Sequence, residues 1–138
     1  MKKLAIILFF FSFLLFFSSF LFYYLNNSPL EERVIYASAN LTDISGFDVS
    51  SAALTFGNIV NGSSSSRNII FNNRYKFPLT VLIKVDGSIS QLLYFEEKLI
   101  IDSGDTARVP FTAFAADNLE RGFYSGNVSF LIFERKGI

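Results

Sequence analysis

Apolar and polar positions follow two different rhythms along this chain, and the change falls near residue 26. Residues 4–25 read LAIILFFFSFLLFFSSFLFYYL, 22 positions without a charge, a glycine or a proline. At about 1.5 Å of rise per residue, a helix of that length covers about 33 Å, enough to cross a hydrocarbon layer of about 30 Å. The run therefore predicts one transmembrane helix. Eight phenylalanines spread over all its faces rule against a core helix, since the rest of the chain is too small to surround them. Lys2 and Lys3 precede the run and the next charges after it are Glu31 and Glu32, so the positive-inside rule places residues 1–3 in the cytoplasm and everything beyond residue 25 outside. Lys2 and Lys3 then mark the inner interface, and Tyr23 and Tyr24 fall where an outer aromatic belt would sit.

A cleaved secretory signal has the same basic start but an apolar stretch of only about 7–15 residues with a small-x-small site just after it. The nearest such triplet here is Ala37-Ser38-Ala39, beyond Glu31, Glu32 and Arg33. A retained signal anchor is the expectation, and a secreted module released by cleavage is the alternative. Residues 26–32, NNSPLEE, read as a polar connector in which Pro29 stops the helix.

From residue 33 the period drops to two. Short runs rich in β-branched and aromatic residues recur between Gly, Asn, Asp and Ser clusters, predicting strands at 34–37, 53–56, 68–72, 79–85, 92–95, 98–101, 106–111 and 123–133. In LTVLIKV, Leu79, Val81, Ile83 and Val85 point one way while Thr80, Leu82 and Lys84 point the other. Ala107, Val109 and Phe111 share a face in the next clear case, with Pro110 marking an edge or a strand exit. Tyr124, Gly126, Val128, Phe130 and Ile132 share another. The opposite face of that last run is polar until Leu131 and Phe133, which together with the outward Leu82 suggest a patch for a neighbouring subunit. Asp86-Gly87-Ser88 reads as a tight hairpin, Asp102-Ser103-Gly104-Asp105 as a turn closed by an Asp side chain, and Asn61-Gly62 with Ser63 to Ser66 as a flexible exposed loop. Residues 112–121 have room for one helical turn starting near Asp117. The sum is an all-β, antiparallel β-sandwich of about seven to eight strands over residues 33–138, preceded by one transmembrane α-helix.

Composition narrows the chemistry. Of 138 residues about 113 follow the anchor, room for one domain. Without Lys2 and Lys3 the exported part holds ten basic and twelve acidic residues and no basic run, so nucleic acid is not an expected partner. The absence of cysteine excludes disulfides, thiol chemistry and lipoprotein acylation. The absence of histidine removes the commonest general base and transition-metal ligand. The neighbouring pairs Glu31-Glu32 and Glu96-Glu97 point to opposite faces of a strand, and Asp102, Ser103 and Asp105 lack the further carboxylates of a calcium loop. No catalytic, cofactor-binding or metal-binding residue is expected, and no enzyme. Asn-x-Ser/Thr occurs at Asn26, Asn40, Asn61 and Asn127. Asn26 lies too near the membrane, leaving Asn40, Asn61 and Asn127 as glycan acceptors, with Asn61 the most accessible.

Two stretches carry a family resemblance. Phe56-Gly57, Gly62-Ser63, Ile69-Ile70-Phe71 and Asn72 or Asn73, followed by Ile101 to Phe111 and Gly122 to Val128, are similar in order to the ASH (ASPM–SPD-2–Hydin) type of immunoglobulin-like domain. The spacing Gly122-x-Tyr124-x-Gly126 also resembles the tyrosine corner of immunoglobulin domains, with Gly126 where the second cysteine would stand. The resemblance implies an immunoglobulin-like sandwich that binds proteins or acts as a spacer, with no shared catalytic residues. In architecture alone, an anchor followed by a small external β-domain resembles archaeal surface-filament stators and pilin-like proteins, although Lys3 is followed by Leu4 rather than by the Gly or Ala of a pilin-type processing site. The expected partners are the lipid bilayer and another membrane or cell-surface protein, with self-association as a further route. The expected location is the cell membrane, single-pass, with the C-terminal domain extracytoplasmic.

Overall fold

The computed structural model describes residues 2–42 and 53–135. Helix α1 runs Lys2–Asn27, and its large apolar side chains from Leu4 to Leu25 are exposed, Leu21 least at 47%. A helix of a water-soluble domain buries one stripe; this one buries none and is long and apolar enough to cross a membrane. It ends with side chains on its last carbonyls: Asn27 Nδ2 donates to the Tyr23 carbonyl at 3.0 Å and Ser28 Oγ to that of Tyr24 at 2.8 Å.

The rest is mostly β. Strands β1 (Glu31–Leu41), β2 (Leu54–Ile59), β3 (Ser64–Asn72) and β4 (Leu79–Gly87) precede a 3-10 turn over Ser88–Gln91. After it come β5 (Leu93–Tyr94), β6 (Lys98–Ile101), β7 (Thr106–Phe114) and β8 (Gly122–Glu134). A five-stranded sheet is ordered β2-β1-β8-β4-β6 and a three-stranded sheet β3-β7-β5. Their inner faces share one core: Phe130 of β8 meets Phe111 of β7 edge-on with ring centroids 6.0 Å apart and Phe71 of β3 at 4.9 Å, while Phe95 stacks on Phe111 at 5.7 Å. Inward positions of β4, β7 and β8 are buried as the period-two pattern requires, from Leu79 and Val81 to Val109, Phe111, Val128 and Phe130.

Several local expectations are corrected. The connector shrinks to residues 28–30, because α1 takes in Asn26 and Asn27 while β1 starts at Glu31. Among the described residues the strand pairs are antiparallel except β1 with β2, which run parallel, Ala37 opposite Leu54 and Leu41 opposite Ile59. Asp86-Gly87-Ser88 does not turn a hairpin: the chain leaves β4 there and crosses through the 3-10 turn to β5 in the other sheet, with Ile89 fully buried at the crossing. Ser64 to Ser66 form the start of β3 instead of a loop, pairing with Phe114 to Thr112. β7 passes through Pro110 to Phe114, so Pro110 does not end it. β5 covers the far side of β7 only at Thr112 and Ala113, which leaves the residue without a donor at an effectively open edge. At Asp117 the chain makes one hydrogen-bonded turn, the Leu119 amide donating to the Ala116 carbonyl at 3.1 Å, without going on into a helix.

Candidate functional site

Burial changes abruptly along β1. Its inward positions run from Arg33, exposed, through Ile35, half-buried, to Ala37 and Ala39 at 0% and 2%. The cause is the neighbouring strand. β8 pairs with β1 over its whole length, but β2 covers the other side only from Ala37 onward. Across the gap lies β3, the edge of the three-stranded sheet, whose inward Ile69 and Phe71 are likewise only partly buried. Between residues 31–35 of β1 and 69–75 at the end of β3, the two sheets part to leave a cleft of about 590 Å³. Its floor is apolar, with Leu79, Val81, Ile101, Phe130 and Ile132. Its mouth carries Glu31, Arg33, Arg74 and Tyr75.

Both ends of the seam are fixed by hydrogen bonds. At the closed end Arg67 Nε of β3 donates to the Thr55 carbonyl of β2 at 3.0 Å, joining one sheet to the other. At the open end Asn73, 1% exposed, ties the segment after β3 to the turn after β6. Its Nδ2 lies 2.9 Å from the Phe77 carbonyl, 3.1 Å from that of Ile101 and 3.0 Å from that of Asp102, and its Oδ1 accepts from the Tyr75 amide at 2.9 Å. Two hydrogens serve three carbonyls, so at least one bond is shared. The Asn73 backbone completes the knot by donating to the Asp105 carbonyl and accepting from Gly104. Composition and period give no sign of this; an asparagine at a strand end reads as a turn former, and only the spatial return of residues 101–105 reveals what it holds. The turn at Asp102 to Asp105 itself closes backbone to backbone, Asp105 N–H to the Asp102 carbonyl at 3.1 Å.

The cleft mouth is cationic on balance. Arg33 Nε donates to Glu31 Oε1 at 2.7 Å, and that hydrogen bond, with the carboxylate's charge, raises the guanidinium above its ordinary pKa. With 61% of the Arg33 side chain exposed, the pair adds little stability. Arg74 is exposed and has no ion pair among the described residues. Glu32, the other half of the acidic pair, lies one residue along β1 and points to the opposite face.

The residues singled out by sequence lie elsewhere. Asn61 is exposed in the turn before β3 and Asn127 is exposed on β8, while Asn40 is half-buried on β1 with its amide nitrogen donating to Asn58 Oδ1 at 3.2 Å. Lys2 opens α1, Lys3 is exposed one residue on, and Tyr23 and Tyr24 are exposed near its far end. The Tyr124 hydroxyl donates to the Glu120 carbonyl at 2.7 Å, four residues upstream. Leu82 stands directly opposite Leu131 on the outer face of the five-stranded sheet, with Phe133 opposite Thr80; all three are half-buried, beside the exposed Val34 and Ile100. Among the described residues no group of three metal-ligating side chains gathers. No protein-family model, curated protein or solved structure matches the chain.

Proposed function

We propose that this chain is a single-pass membrane protein whose extracytoplasmic, immunoglobulin-like β-sandwich serves as a non-catalytic binding or structural module at the cell surface. The observation that carries the reading is the pairing of an all-round apolar helix with a β-domain attached through residues 28–30 alone. At no more than about 3.6 Å per residue, Arg33 at the cleft mouth lies within about 22 Å of Asn27 at the end of α1. A partner that reaches the cleft therefore works at the membrane surface, which favours another membrane or cell-surface protein. Two sheets sharing one aromatic core, and the Tyr124 to Glu120 bond in the place of a tyrosine corner, support the immunoglobulin-like assignment. The ASH-type resemblance rests on the sequence motifs alone.

Protease added to intact cells or right-side-out vesicles tests the reading. Digestion of the β-domain, with a membrane-protected fragment near residues 1–27, is the expected result. A domain cut only after the membrane is broken would overturn the orientation.

A second reading, a subunit of a surface filament or its stator, is favoured by the apolar side chains on the outer face of the five-stranded sheet, where Leu82, Leu131 and Ile100 would meet a neighbouring copy. Cross-linking in membranes separates the two: a ladder of multimers abolished by Leu131→Lys supports assembly, and a monomer band alone supports the isolated module.

A further inference from the structure

We infer that the cleft between β1 and β3 receives an extended strand from a partner polypeptide, which pairs with residues 31–36 of β1 in line with β2. The inference rests on the binding-module reading and names the chemistry of what is bound.

The backbone carries the argument. In a strand, N–H and C=O groups point alternately to the two sides, and those of β1 that face away from β8 need a partner on that side. From Ala37 onward β2 supplies it; over residues 31–36, among the described residues, no strand does. Facing the same gap, β3 pairs, among the described residues, with β7 alone and presents its other edge. Open edges of this kind are templates for further strands, and proteins usually block them with proline, a bulge or charged side chains. Neither proline nor a bulge stands in residues 31–36, the irregularity in β1 falls at Ser38 to Asn40, inside the half already paired, and the charges gather at Glu31, Glu32 and Arg33, which leaves Val34 to Tyr36 as the uncharged part of the edge.

The side chains agree. Ile35, Ile69 and Phe71, each only partly buried, line the gap above the closed core, so alternate residues of an incoming strand would pack on these three while the others face solvent. An acyl chain could fill the apolar volume but would leave the strand edges without partners. A strand satisfies both, by the β-augmentation mode in which backbone bonds give affinity and alternate pockets give specificity. Six residues span about 20 Å at about 3.3 Å each, which sets the length of the inserted segment. Arg74 at the mouth lacks an ion pair among the described residues, so an acidic residue on the partner opposite it is favoured. The occupant is thus an extended segment with apolar residues at alternate positions and a carboxylate near one end.

The test uses the full chain in detergent micelles, panned against a random decapeptide library. Synthetic versions of the selected peptides are then N-methylated one residue at a time. Strand pairing removes binding at every second position and tolerates methylation between them. Ile35→Lys is expected to weaken binding at least about tenfold. Arg74→Glu, at an exposed site that does not endanger folding, is expected to weaken acid-bearing peptides about two- to fivefold. The proposal is overturned if no peptide is selected, if N-methylation has no alternating effect, if phosphatidylglycerol micelles displace the peptides competitively, or if the site is already filled by a second copy in a dimer that Ile35→Lys dissociates. Because binding is read in micelles, peptide binding by a chain that fails to stay in bilayers would sink the anchor alone, and stable anchoring without peptide binding would sink the strand alone.

Discussion

Gly126 of β8 lies directly opposite Gly87 of β4, and a Cβ on Gly126 would fall on the Asp86 carbonyl. The two backbones come this close because the chain leaves the five-stranded sheet here, with Gly87 at φ +89° and Ser88 Oγ accepting from the Ser125 amide at 3.0 Å. Gly126→Ala should therefore destabilise the domain by about 2–3 kcal/mol or more, through backbone overpacking. Gly104→Ala is the control: its φ is +81° but nothing lies within 4 Å of an added Cβ, so only the strained backbone, worth about 1–2 kcal/mol, is lost. Chemical denaturation of both variants in detergent checks the order.

Asn73→Ala removes one side-chain acceptor and the donors to three carbonyls at a site 1% exposed. A loss of about 2–4 kcal/mol is expected, because the carbonyls of Ile101 and Phe77 lose a donor where water has little access. Asn73→Asp should be no better, since a carboxylate keeps the bond from Tyr75 but faces three carbonyls without a hydrogen. Hydrogen exchange that quickens at residues 73–77 and 101–105 together would confirm that one side chain holds both segments; independent changes would refute it.

Two phenylalanines of β8 separate the core from its surroundings. Phe130 is 0% exposed between the sheets and Phe123 is 65% exposed. Phe130→Ala is expected to lower stability by about 3–5 kcal/mol, and Phe123→Ala to change it by no more than about 0.5 kcal/mol. Equal effects would mean that the two sheets do not share a core.

Tyr124→Phe deletes one hydroxyl and its bond to the Glu120 carbonyl. A loss of about 0.5–1.5 kcal/mol is the expected outcome in thermal or chemical unfolding. A neutral result would reduce the bond to a surface accident.

What the sequence discloses, and what it withholds, divides along the range of the interactions. α1 is plain because 22 uncharged positions are a local signal, and β4, β7 and β8 because alternation is local too. β1 is harder: Glu31, Glu32 and Arg33 look like a connector, since that half of the strand has, among the described residues, one neighbour and keeps its charges. The sheet crossing at Gly87 reads like a hairpin because both need a glycine at positive φ, and only the β5 to β7 pairing tells them apart. The cleft is the least legible feature. Its walls come from residues 31–35 and 69–75 and its floor from residues 79, 81, 101, 130 and 132, which no window of the chain brings together. Nothing in Ile35 or Ile69 distinguishes a residue facing an open seam from one in a closed core.

The most direct test of the whole account is alkaline extraction of membranes carrying the full-length chain, followed by intact-mass analysis of pellet and supernatant. Retention of the uncleaved chain in the pellet is the expected result, because α1 exposes apolar side chains on every face. A soluble species that begins beyond residue 25, with nothing of full length left in the membrane, would contradict it.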